Sequence, residues 1–119
     1  MILGAVKSFE SKETLIPKAL RTTNAWDRMR GLLGRPKLNK EHGLWITPCP
    51  SVHTIGMRYP IDIIYMDSDG YVKKVVPNLK PMKISSCLGA FCVLELDAGM
   101  AERLEIKEDI KLLWEPIAL

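Results

Sequence analysis

At 119 residues, 47% hydrophobic and 26% charged, with a formal net charge of +3, the chain has the length and composition of one globular domain with a single core. Its Lys and Arg residues are scattered among Asp and Glu rather than gathered into a stripe, which argues against a nucleic-acid partner. The apolar start Met1-Ile2-Leu3-Gly4-Ala5-Val6 is cut off by Lys7, too early for a signal peptide or for the roughly 20 apolar residues of a membrane span.

The three cysteines, Cys49, Cys87 and Cys92, include no Cys-x-x-Cys pair. An odd, unpaired set argues against a disulfide framework and suits a reducing compartment. The expectation is a cytoplasmic monomer that touches neither membrane nor nucleic acid.

Residues 1–12 turn polar after the first few positions and read as an N-terminal arm or frayed first strand. Thr14 to Thr23 mixes β-branched and aliphatic residues around Pro17, which predicts an edge strand, where a missing N–H does little harm. Asn24 is placed to cap a helix, with Asp27 in its favourable first turn. Trp26, Met29, Leu32 and Leu33 then share one helical face. Gly34 and Pro36 stop this helix at about ten residues, and it is expected to lid one side of a sheet.

Gly43–Thr47 is the next strand, ended by Pro48 and Pro50. A polar loop follows, holding Cys49, His53, Met57 and Arg58. It opens onto the apolar run Ile61–Met66, broken only by Asp62 and bounded by Pro60 and a Gly-containing turn, the pattern of a buried strand. Asp67-Ser68-Asp69-Gly70 is a turn, and Tyr71–Val76 returns as the second strand of a hairpin. Pro77 and Pro81 bracket a connector. Ala90–Leu96 follows as a strand with Phe91, Val93 and Glu95 on one face and Cys92, Leu94 and Leu96 on the other. Asp97 is placed to cap a brief helical turn through Met100 and Leu104, and Ile110–Trp114 is the last strand. Short strands with hairpin and proline punctuation predict one domain over residues 1–119. It is mainly β, a compact antiparallel barrel or sandwich with one or two short helices.

An ordered set of motifs runs through these elements: Arg28-x-Arg30-Gly31-Leu32-Leu33-Gly34-Arg35, Gly43-Leu44-Trp45-Ile46, His53-Thr54-Ile55-Gly56-Met57-Arg58-Tyr59-Pro60-Ile61-Asp62, Asp69-Gly70 and Val93-Leu94-Glu95-Leu96-x-x-Gly99. In these the chain resembles the family called domain of unknown function 192 over about residues 14–114. The resemblance implies a small, mainly β domain of a bacterial or archaeal protein and assigns no activity. Two departures stand out. Many members carry Trp-Met-Lys-Asn-Thr where this chain has His53-Thr54-Ile55-Gly56-Met57-Arg58, and a Gly-Asp turn where it has Glu108-Asp109. Chemistry resting on His53 therefore need not be general to the family, and the extracytoplasmic location implied by the export signal or membrane anchor of many relatives does not carry over.

Several residues invite chemistry. Cys49 and His53 stand four apart in a loop bent by prolines, where a thiolate and an imidazole suit Zn²⁺ or Cu⁺, with Met57, Cys87 or Cys92 as further soft ligands. The same pair suits a nucleophile and its base, with Asp62 or Glu95 orienting the imidazole, although the flanks match no hydrolase signature. The plain alternative is a buried Cys49 and a His53 bonded to its own loop. Asp62 and Glu95 sit inside apolar strands, where an unpaired carboxylate costs several kcal/mol. Each is either tied structurally to Arg28, Arg30, Arg58 or Tyr59, or held in a pocket with a raised pKa. Arg28, Arg30 and Arg35 around the Gly31–Gly34 turn suit an anion, or form a solvated face at a helix end. Trp26 and Trp45 fall at core positions and Trp114 at a partly exposed one.

The leading expectation is a binding or accessory module that recognises a small ligand or protein partner through loop 49–58 and its flanking carboxylates. It needs no cofactor. A Zn- or Cu-binding protein and a Cys-His enzyme are the alternatives.

Overall fold

The computed structural model describes residues 1–117. At its centre, every residue of Ile61–Met66 is buried, as is every residue but the last of Cys92–Asp97. These unbroken apolar runs pair antiparallel from Ile61↔Asp97 to Met66↔Cys92, as strands covered on both faces do. In chain order the elements are β1 (Ile2–Ser8), β2 (Thr14–Arg21), α1 (Ala25–Arg30), β3 (His42–Ile46), β4 (Ser51–His53) and β5 (Ile61–Met66). They continue with β6 (Val72–Leu79), β7 (Ile84–Ser86), β8 (Cys92–Asp97), α2 (Met100–Arg103) and β9 (Leu112–Pro116). Seven strands form one sheet in the order β6-β5-β8-β3-β2-β1-β9, and β4 and β7 form a separate ribbon.

The domain is mainly β and sandwich-like, as the sequence predicts, but the sheet is mixed. β2 and β3 run parallel, from Lys18↔His42 to Arg21↔Trp45, because the connection between them carries the chain back through α1 before it re-enters the sheet. The two edge strands meet at one end through the Tyr71↔Lys111 bridge, with Val72 N–H donating to Ile110 O at 2.8 Å and Leu112 N–H to Gly70 O at 2.9 Å. The sheet thus curls without closing into a barrel. Its interior face gathers Ile16, Trp45, Ile64, Met66, Leu94 and Leu96 with Met100 of α2. The outer face carries Leu44, Ile46, Ile61, Ile63, Tyr65 and Val93, with Leu32 packed on it.

Several local expectations are corrected. Residues 2–8 are no arm: β1 is flanked by β2 and β9. Nor is β2 an edge. Pro17 is tolerated inside the sheet because the β1–β2 register shifts between Gly4↔Ala19 and Val6↔Ile16, and pairing with β3 begins only at Lys18. A proline at such an irregularity has no ladder bond to lose. Pro77 likewise lies within β6 rather than in a connector. Asn24 does cap α1, its side chain accepting from Asp27 N–H at 2.9 Å, but the helix has only 6 residues and ends at Gly31, where φ is +51°. It is too short to lay a face on the sheet. Trp26 and Met29 are each 72% exposed, and of the predicted apolar face Leu32 alone is buried. Trp45 is core, and Trp114 is partly buried with its indole N–H donating to Ala19 O at 3.0 Å.

Asp62 is fully buried on the interior side and its partners are backbone amides, not the predicted arginines or tyrosine. Oδ1 accepts from Asn78 N–H at 2.9 Å, and Oδ2 accepts from Gly99 N–H at 3.0 Å and Ala101 N–H at 2.8 Å. The β5–β6 register shifts between Ile61↔Leu79 and Ile63↔Val76, so Pro77 and Asn78 together oppose Asp62. Proline has no N–H to satisfy and the other amide goes to the carboxylate. The start of α2, which the sequence assigns to Asp97, is capped from a neighbouring strand instead.

Replacing Asp62 with Ala leaves three amides without their acceptor. Urea unfolding is expected to show a loss of about 3 kcal/mol or more. The same measurement on Trp26→Ala is expected to stay within about 0.5 kcal/mol of wild type.

Candidate functional site

β8 presents Glu95 on the face opposite Asp62, between Leu44 of β3 and Ile63 of β5 in the ladder. Its side chain reaches a cavity of about 330 Å³ formed by residues 28–33, the end of β3 at Ile46, and loop 49–57. Glu95 is only 5% exposed, yet among the described residues its carboxyl group has no hydrogen-bond partner and no ion pair. Burial pushes its pKa from 4.5 up to about 8. Removing a carboxylate from water without a compensating donor favours the protonated acid. Glu95 is thus a neutral hydroxyl donor and carbonyl acceptor at the floor of the cavity near pH 7.

The roof over this carboxyl is backbone. A Cβ at Gly31 would stand 3.6 Å from Glu95 Oε1 and 3.9 Å from Ile46 Cδ1. The chain turns there in the left-handed region that favours glycine. Arg30 Nε donates to Leu33 O at 3.2 Å and Arg35 Nε to Gly31 O at 2.9 Å, bracing the turn from both sides. Arg28 and Arg30 line the mouth of the cavity, and neither pairs with a carboxylate among the described residues. Asp27, the nearest acid in sequence, is occupied by the N-terminal ammonium at 3.4 Å.

On the other wall stand Cys49, Val52, His53 and Met57. Cys49 is half-buried, its thiol donates to Ser51 O at 2.9 Å, and burial raises its pKa. That environment holds the thiol form. His53 is exposed on β4 and its ring makes no hydrogen bond among the described residues, so it does not brace the loop as one expectation had it. Thr54, which sequence reasoning missed, does so. Fully buried, it donates from Oγ1 to Lys80 O at 2.6 Å and accepts there from Lys83 N–H at 2.9 Å, clamping loop 53–57 to residues 80–83. A single hydroxyl with partners far along the chain leaves no periodic signal.

Leu33 closes the cavity on one side by packing on Gly56, where φ is +87° and a Cβ would stand 2.9 Å from Leu33 Cδ1. Beyond this contact lies a second, open cleft of about 660 Å³, flanked by Arg35, Lys37, Arg58 and Tyr59. The structure therefore gathers Cys49, His53, Met57, Glu95, Arg28 and Arg30 around one cavity and puts Arg35 and Arg58 in the next. Asp62 is excluded from both, on the far face of the sheet and committed to amides, so it does not orient His53. Cys92 packs in the interior cluster, whereas Cys49 lies against the outer one. No three His, Cys, Asp or Glu side chains among the described residues are grouped to hold a metal ion.

Comparison with known proteins places this geometry in a wider set. The model of the DUF192 family, described as uncharacterized ACR, matches residues 9–114. A crystal structure of a protein of unknown function from Novosphingobium aromaticivorans DSM 12444 superposes with a TM-score of 0.75 at 25% identity, covering 94% of this chain and 84% of that one. A Sinorhizobium meliloti 1021 protein described as a "putative transcription regulator" superposes with a TM-score of 0.79 at 21% identity, covering 95% and 92% respectively. At that identity the second likeness speaks for the fold alone. No curated protein matches the chain.

Glu95 makes stability depend on pH with a definite sign. Its folded pKa of about 8 lies above the ordinary 4.5, so between these values the folded state holds a proton that the unfolded chain releases. Its contribution is full below about pH 4.5 and is lost as the pH rises toward 8. The difference in unfolding free energy between Glu95→Gln and wild type is expected to grow by a few kcal/mol across that window, then level off.

Proposed function

We propose, for a chain that belongs to the DUF192 family of uncharacterised proteins, a role as a small-ligand binding module whose site is the cavity over Glu95. The observation that carries this reading is the carboxyl group of Glu95, on a nearly buried residue, which opens onto the cavity and has no hydrogen-bond or ion-pair partner among the described residues. A side chain kept at that cost, under a glycine roof that leaves its oxygen free, serves something other than packing. The cavity, at about 330 Å³, is at the small end of the range for ligand pockets, roughly 300–1,000 Å³. Leu32, Ile46, Val52 and Met57 give it apolar wall, and the Glu95 carboxyl stands among further polar lining groups from Arg28, Arg30, Cys49, Ser51 and His53. This favours a small molecule over a protein partner as the primary ligand.

The metal and nucleophile readings of Cys49 and His53 are less well supported. Both need a thiolate, and the Cys49 environment favours the thiol. Within the same proposal the protein is a bacterial, cytoplasmic monomer that needs no resident cofactor and has neither a nucleic-acid nor a membrane partner. The three free cysteines are consistent with a reducing compartment, and no described helix is long and apolar enough to cross a membrane.

The test is a small-fragment screen by two-dimensional ¹H–¹⁵N NMR on the wild type and on Glu95→Leu. Fragments are expected to shift the amides of Gly31, Cys49 and Val52 in the wild type. Glu95→Leu is expected to melt several degrees higher and to lose those shifts. A complete screen that leaves these amides unmoved, or a Glu95→Leu variant that binds equally well, overturns the reading.

A further inference from the structure

Six side chains that carry or can take up positive charge surround the two clefts: Arg28, Arg30 and His53 at the first, and Arg35, Lys37 and Arg58 at the second. Glu95 is the one acid among the residues lining either. Among the described residues, Lys37 is the one of the six that forms an ion pair, with Asp97 at 3.7 Å. Arg28 and Arg30, which line the cavity over Glu95, pair with no carboxylate among the described residues. A low-dielectric cleft with one sign of charge at its entrance draws in ions of the opposite sign and repels those of its own. A cationic ligand, which an isolated acid would otherwise suit, has to pass these guanidinium groups to reach Glu95. The floor and the mouth thus make different demands on one molecule.

Resting on the small-ligand reading above, we infer that the cavity takes a small organic anion. Its charged group stays at the mouth against Arg28 and Arg30, and an uncharged carbonyl or equivalent acceptor at its other end accepts a hydrogen bond from the Glu95 carboxyl. Arginine supplies a planar, permanently charged fork suited to a carboxylate or phosphate. The apolar walls between the two ends fit a hydrocarbon or aromatic body. The acceptor end provides Glu95 with the bond that the protein itself withholds. Leu33 against Gly56 is the partition a longer anion would have to displace to reach Arg35 and Arg58.

A matched set of probes tests each end. 4-Acetylbenzoate carries both the anion and the acceptor, 4-acetylbenzamide removes the charge, and (4-acetylbenzyl)trimethylammonium reverses it. 4-Isopropylbenzoate replaces the carbonyl with an isosteric hydrocarbon. Titrations followed at Gly31, Cys49 and Val52 are expected to rank 4-acetylbenzoate about tenfold tighter than the amide and to show no cavity binding by the ammonium probe. 4-Isopropylbenzoate is expected to bind the wild type more weakly than its acetyl counterpart, and equal binding overturns the hydrogen bond from Glu95. Replacing Arg28, whose side chain makes no hydrogen bond or ion pair among the described residues, with Gln is expected to weaken 4-acetylbenzoate binding more than 4-acetylbenzamide binding, and an equal loss for both overturns the anion inference. Equal or tighter binding of the amide or ammonium probe overturns the anion inference while the small-ligand reading stands. So does a failure of all four probes when other fragments still bind in the cavity. A cavity that binds no fragment of any charge removes both.

Discussion

The carboxylate of Asp62 is the point on which this fold closes. Placed at the start of the central strand β5, it takes up the amide left over by the Pro77–Asn78 bulge and two amides at the start of α2. Three parts of the chain, residues 61–62, 77–79 and 97–101, are held by one pair of oxygens. Charge-assisted bonds of this kind are about twice as strong as neutral ones. They repay the burial of an ionised group because nearly all its accepting capacity is used. Removing the carboxylate is expected to weaken the bulge and the cap together, since among the described residues these amides have no other acceptor.

On the neighbouring strand, one residue pair away, Glu95 has the opposite fate. Strand alternation puts it on the outer face, where the described residues supply no donor and a cavity lies instead. The same functional group thus accepts three backbone amides on one side of the sheet and, on the other, opens onto a cavity with no donor from the described residues. Environment alone separates the two. A site of this kind is expected to weaken the domain that carries it, and the bonds around Asp62 and Thr54 hold the strands and loops that enclose it.

Much of this was legible in the residues. The apolar run of β5, the Asp67–Gly70 turn and the two faces of β8 follow from periodicity, and the structure preserves them. Asp62 and Glu95 stand out because they interrupt apolar strands, but sequence treats them alike, since only the third dimension tells whether an amide or a cavity waits opposite. Trp26 is exposed despite its place on an apolar helical face, because such a face predicts burial only when the helix is long enough to lie on the sheet, and Gly31 ends α1 first. β1 and β2 read as marginal in the sequence because local polarity and a proline conceal strands whose pairing is fixed by distant partners. The cavity itself joins residues 28–33, loop 49–57 and Glu95, segments with no local signal of their mutual approach.

The account rests most heavily on Glu95 being a buried acid that keeps its proton at neutral pH. Carboxyl ¹³C NMR of protein labelled at glutamate, with Glu95→Gln used to assign the resonance, reads this directly. The Glu95 signal is predicted to titrate with a midpoint near 8, well above the ordinary value of 4.5. A midpoint in the ordinary carboxylate range would mean that the group is solvated or paired in solution. The cavity over it would then lose the feature that marks it as a site.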